Sequence, residues 1–136
     1  MFFRKNPLKT LKALFIANFY SKQMQSKIID FHTHNLRTKH AIINVPKEWL
    51  LQPTLFAPQD DACYSVGIHP WWTEKRAEIE KMLHNMPQLL SHKQVIAVGE
   101  CGLDALRGAP LTEQTDVFKA QIAMAEAAQL PVTLHV

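Results

Sequence analysis

The chain predicts an α/β fold with a parallel sheet, and two observations carry that prediction. In the second half, short apolar runs alternate with helix-length segments, the pattern of right-handed βαβ units. Residues with metal-ligating chemistry (His32, His34, Glu100 and His135) fall at the C-terminal ends of apolar runs, and Gly67-Ile-His69-Pro70 does too. Parallel strands collect those ends on one rim, which is where such folds place function.

The segment Lys27-Ile-Ile-Asp-Phe-His-Thr-His34 reads as the first strand, because Ile28, Ile29 and Phe31 are apolar and neither Gly nor Pro interrupts them. Side chains at i and i+2 of a strand share a side, so His32 and His34 face one point. Neutral imidazole is the commonest ligand for divalent metals near neutral pH. A bare His-x-His pair is equally compatible with two histidines at a loop edge.

Residues 41–45 form a second strand ended by Pro46, followed by a loop punctuated by Pro46, Pro53 and Pro58. Residues 62–68 form a third, closed by His69-Pro70. Thr73 then caps a helix with Glu74 in its first turn. Ile79, Met82, Leu83 and Met86 make its apolar stripe, and Pro87 ends or kinks it. Residues 94–98 lack alternation, as a strand covered on both faces should, and Glu100 follows behind Gly99. A loop with Gly108 and Pro110 leads to a second helix, capped near Thr112 and acidic early at Glu113 and Asp116. Its buried side is expected at Phe118, Ile122, Ala125 and Gln129 or Leu130. Residues 131–135 complete a fifth strand.

The 136 residues suffice for one domain, and their composition, 47% apolar and 20% charged, is that of a globular protein. No apolar run approaches the roughly 20 residues that span a bilayer. Cys63 and Cys101 are too few for a disulfide framework, so free thiols and a cytoplasmic setting are expected. The net charge of +3 is concentrated at one end. Arg4, Lys5, Lys9, Lys12 and Lys22 face no acidic residue within residues 1–26, which leaves ten basic groups against twelve acidic ones beyond them. The body is slightly acidic, so the overall charge does not argue for a nucleic-acid-binding face. Residues 1–26 read as a basic extension outside the fold. Translation is expected to begin naturally at Met24, in preference to a signal peptide, because Asn18 interrupts the apolar stretch early.

Taken in order, several motifs resemble the TatD family of metal-dependent deoxyribonucleases. They are His32-Thr-His34, Gly67-Ile-His69-Pro70, Val98-Gly-Glu100-Cys-Gly-Leu-Asp104, the helix bearing Gln114, Phe118, Gln121 and Ala125, and Pro131-Val-Thr-Leu-His135. The resemblance runs from about residue 28 to the last residue, and the short connection between His34 and Gly67 suggests a compact subgroup. It implies a partial (β/α)8 TIM barrel with about five of the eight parallel strands. It also implies two divalent cations (Mg, Mn or Zn) at the rim. By motif, His32 and His34 would hold the first ion, Glu100 would bridge both, and His135 would hold the second. His69 would contact the substrate phosphate or support a ligand.

The implied chemistry is hydrolysis of DNA phosphodiesters, of exonuclease type. The family pattern also has a further His on the next strand and an Asp on the last strand that binds metal and acts as general base. Neither has a counterpart here, so no catalytic residue is assigned and the chain is expected to be the N-terminal part of the enzyme. The alternatives are a truncated fragment or split subunit that needs its missing C-terminal half, and a related hydrolase with a non-nucleic-acid substrate.

Other residues carry plainer expectations. Asp104 either orients a ligand or caps its loop. Cys101 and Cys63 are core fillers. His40, His84 and His92 are solvent-exposed. One of Trp71 and Trp72 stacks on a base, or both pack the loop.

Overall fold

The structure is a computed structural model that describes residues 30–136. The expectation for residues 1–26 lies outside the described residues. Five strands, β1 (Asp30–Thr33), β2 (Ala41–Asn44), β3 (Cys63–Val66), β4 (Val95–Gly102) and β5 (Val132–His135), form one sheet in sequential order, every pair parallel. Helices α1 (Lys47–Leu51), α2 (Arg76–Leu90) and α3 (Leu111–Ala128) lie in the crossovers after β2, β3 and β4. Sequential parallel strands joined by helical crossovers make a partial (β/α)8 barrel.

Every residue of β3 is buried, which explains its unbroken run of Cys63, Tyr64, Ser65 and Val66. Cys63 and Cys101 both lie in the core. Outer strands differ: Phe31 on β1 is 70% exposed and Leu134 on β5 is 52% exposed. Among the described residues no helix is long and apolar enough to cross a membrane.

Four local expectations need correction or narrowing. The Pro-punctuated loop after β2 contains α1, whose Leu50 is fully buried against the core. Pro46 sits at its N-cap, where a missing N–H costs nothing, and Asn85 of α2 donates to the Leu50 carbonyl. Thr73 is not the cap of α2, which begins at Arg76 with Glu78 as its early acid. The Thr73 hydroxyl instead donates to the Pro70 carbonyl and accepts from Ala109 N–H, tying two rim loops together. Of the two alternatives for Pro87, ending α2 is excluded, since the helix continues to Leu90. Finally, α3 starts after Pro110 and buries Gln114, Val117, Gln121 and Ala125, while Phe118 and Ile122 are only half-buried. The stripe is turned because two of its glutamines have backbone partners in the interior.

Leu50→Ala should cost about 3 kcal/mol, since truncating a fully buried leucine loses transfer energy and leaves a cavity. The midpoint of urea unfolding reads this directly. A loss below about 1 kcal/mol would mean that α1 is peripheral.

Candidate metal centre

The sheet brings four imidazoles around one carboxylate. Fourth-strand backbone continues past Val98 through Gly99 and Glu100 to Gly102, so Glu100 lies within β4 and not after it. Gly99 has φ +146°, and a Cβ there would lie 2.4 Å from the Thr133 carbonyl oxygen of β5. A Cβ on Gly67 would lie 2.5 Å from Gly99 Cα. Only glycine permits these two approaches, and together they bring the ends of β3, β4 and β5 close at the floor of the site.

Each oxygen of Glu100 has its own imidazoles. His32 Nε2 and His34 Nε2 lie 3.2 and 3.6 Å from Oε2. His135 Nδ1 lies 2.9 Å from Oε1, and His69 Nε2 lies 3.8 Å from the same oxygen. Two groups, His32–His34–Glu100 and His69–Glu100–His135, have potential donor atoms all within 4.8 Å of one another. Donors of one tetrahedral ion stand about 3.3 Å apart, close to the 3.2 and 3.6 Å that separate Oε2 from the nitrogens of His32 and His34. The first group's imidazole-plus-carboxylate chemistry suits a divalent cation.

The surroundings decide how each ring is used. Asn44, buried at the end of β2, accepts from Ser65 Oγ and from the Glu100 backbone N–H through its Oδ1. Its Nδ2 lies 2.9 and 3.3 Å from the two ring nitrogens of His32 and steadies the ring. His69 is different: its Nδ1 accepts the Trp71 backbone N–H, so its neutral ring carries the proton on Nε2. Burial lowers the His69 pKa despite the attraction of Glu100.

Asp104 caps its loop and also contacts His135. Its Oδ1 accepts from Leu106 N–H, capping the loop, while Oδ2 accepts from Trp71 Nε1 at 2.6 Å and faces His135 Nε2 at 3.1 Å. The Trp71 hydrogen bond, with that from Leu106, holds its carboxyl down to about 2. His135, between Glu100 and Asp104, is shifted upward, first by its hydrogen bond to Glu100. Burial pushes Glu100 upward, but His135 and the neighbouring imidazoles outweigh it and hold the carboxyl below its usual range. Cys101, with Sγ toward the Thr133 carbonyl, is pushed up to about 12 by burial, as an inert filler should be.

Three contributors were not singled out for the site from sequence: Asn44, and the paired role of Gln114 and Gln121. Gln121 accepts from Ile68 N–H and donates to the Ile68 carbonyl, fixing the residue before His69. Gln114 makes the same double contact with Asp104. The available signal was a polar residue recurring on a helix face that should be apolar. His92 is half-buried against Phe56 and not a surface residue, and burial lowers its pKa. His84 is exposed as expected, while His40 is half-buried.

His32, His34, His69, Trp71, Trp72, Glu100 and His135 line one depression of about 490 Å³, within the size range of small-ligand sites. Comparison with known proteins adds an independent line. Residues 16–136 match the family model described as TatD related DNase. The protein called 3'-5' ssDNA/RNA exonuclease TatD from Rahnella sp. (strain Y9602) is 40% identical over 78 residues, 55% of this chain and 28% of that protein. The protein of the same name from Dickeya dadantii (strain 3937) is 39% identical over 87 residues, covering 60% and 31%. That from Yersinia pseudotuberculosis serotype O:3 (strain YPIII) is 36% identical over 91 residues, covering 65% and 34%. The matched part thus spans about a third of the length of these relatives. With the family model covering all but the first fifteen residues, this chain belongs to the TatD-related DNase family.

Proposed function

We propose that this chain supplies the metal-binding rim of a hydrolase that cleaves phosphodiesters of single-stranded nucleic acid from the 3' end. One observation carries the reading: Glu100 presents Oε2 to His32 and His34 and Oε1 to His135, as a carboxylate shared by two cations must. His32, His34 and Glu100 would hold one ion, and Glu100 with His135 the other. When bound, such ions would supply Lewis acidity to the phosphodiester and ease deprotonation of water.

The chain's own residues position these groups. Asp104 receives one ring nitrogen of His135 and leaves the other for the centre, the carboxylate–histidine arrangement that orients metal ligands. His69 serves as a neutral donor through Nε2, suited to a phosphate oxygen and not to a cation, because its Nδ1 lone pair is already used by Trp71 N–H. Neither carboxylate is free to act as general base: Glu100 is ringed by imidazoles, and Asp104 serves three partners. That role falls to a group outside this cluster.

The test is shortening of a 5'-labelled single-stranded oligonucleotide with Mg²⁺, Mn²⁺ or Zn²⁺ added, using residues 1–136 alone and with the remaining part of a relative supplied as a second chain. Ion-dependent release of mononucleotides from the 3' end, lost in Glu100→Gln, is the expected result. Turnover that is insensitive to chelation and to Glu100→Gln would refute the reading.

A further inference from the structure

Beside the Glu100 depression lies a second one of about 340 Å³, lined by Trp71, Glu74, Leu106, Arg107 and Gly108. The two share the Trp71 side chain as a common wall. Resting on the nucleolytic reading above and extending it, we propose that Arg107, laid over the Trp71 indole, grips the phosphodiester next to the one being cleaved.

The geometry of Arg107 is built and not incidental. Its guanidinium carbon lies 4.1 Å from the Trp71 ring centroid, within the range where a cation is held by an aromatic face. The indole cannot swing away, because its Nε1 donates to Asp104 Oδ2 at 2.6 Å. The backbone of Arg107 is fixed as well, its carbonyl accepting from the buried Gln114 Nε2 at 2.8 Å. An exposed arginine ordinarily spends its charge on a nearby carboxylate. Here, among the described residues, no carboxylate oxygen forms an ion pair with the guanidinium, although Glu74 lines the same depression. The planar fork is thus pre-positioned, charged and unspent.

A guanidinium in this state suits a phosphate, which it can bind with two parallel hydrogen bonds. The stacking contact also settles the use of Trp71. The ring face covered by Arg107 is not open to a base, and His69 and His135 pack against the same indole at 4.8 and 5.9 Å between centroids. Trp71 therefore serves as the platform that aims Arg107, and the strand is tracked at this point by its backbone and not by its bases. Contact of this kind tolerates any sequence, as removal of successive nucleotides requires.

The test is binding of a fluorescein-labelled oligo(dT) to the full chain by anisotropy in EDTA, so that no cleavage intervenes, over a series of salt concentrations. Arg107→Ala should weaken binding roughly tenfold and lower the slope of log K against log salt by about 0.7, the share of one phosphate contact on a single strand. Arg107→Lys should keep the salt slope while losing part of the affinity, since it keeps the charge but not the fork. Arg76→Ala, which removes a charge paired with Glu80 on α2, should change neither. If the wild-type chain binds and Arg107→Ala binds equally with the same slope, the proposal is overturned while metal-dependent hydrolysis stands. If binding depends on Arg107 but no metal-dependent hydrolysis is found, the nucleolytic reading falls and the strand contact survives. Failure of the wild-type chain to bind the oligonucleotide overturns the proposal outright.

Discussion

Glu100→Ala should reduce affinity for divalent cations by more than about a hundredfold, the upper range seen when even a supporting partner of a metal ligand is lost. Among the described residues the carboxylate is the one anionic group that both histidine sets face, so its removal touches both candidate sites at once. The rings of His32, His34, His69 and His135 would then surround a neutral methyl group, with only Asp104, behind His135, left to offset the charge of an entering ion. Titration calorimetry with Mn²⁺ or Zn²⁺ measures the change, and Glu100→Gln separates loss of charge from loss of volume. Both variants should fail alike. Unaltered ion affinity in Glu100→Gln would show that the histidines alone hold the metal.

Gly99→Ala should destabilise the chain by about 3 kcal/mol, combining an unfavourable backbone conformation with overpacking. The added methyl meets the Thr133 backbone carbonyl at 2.4 Å and the Thr133 Cβ at 2.8 Å, neither of which can rotate aside. Because Glu100 is the next residue, the same strain would move its carboxylate out of register with His135 on β5. A fall in the urea midpoint together with weaker ion binding is the expected pair of results. A change under about 0.5 kcal/mol would mean that β4 and β5 can separate at no great cost.

Much of this architecture was legible in the sequence because its strands are buried. Residues 62–68 and 94–98 are apolar without alternation, and that is what β3 and the first half of β4 require. The histidines and Glu100 could be placed because they interrupt such runs at one end only. Helix α1 was illegible for a physical reason: its five residues carry no helical period, and Pro46 and Pro53 flank it with the residues that also mark loops. The rotation of α3 was missed because a hydrophobic stripe was sought, while Gln114 and Gln121 are buried through hydrogen bonds to backbone that no local pattern reveals. Asn44 was hidden likewise, its importance coming from Ser65, Glu100 and His32, distant in sequence.

The two buried glutamines of α3 also couple motions that would otherwise be independent. Each closes a strand-like pair of hydrogen bonds with a rim residue, Gln121 with Ile68 and Gln114 with Asp104, from one continuous helix. Lifting either rim segment leaves a buried amide unsatisfied, at a cost of about 1–3 kcal/mol each. The loop before His69 and the loop after Asp104 therefore share one opening event with α3, a single cooperative unit in hydrogen exchange. On the β1 side of the depression His34 and Asn35 are exposed, and among the described residues no helix holds them in this way.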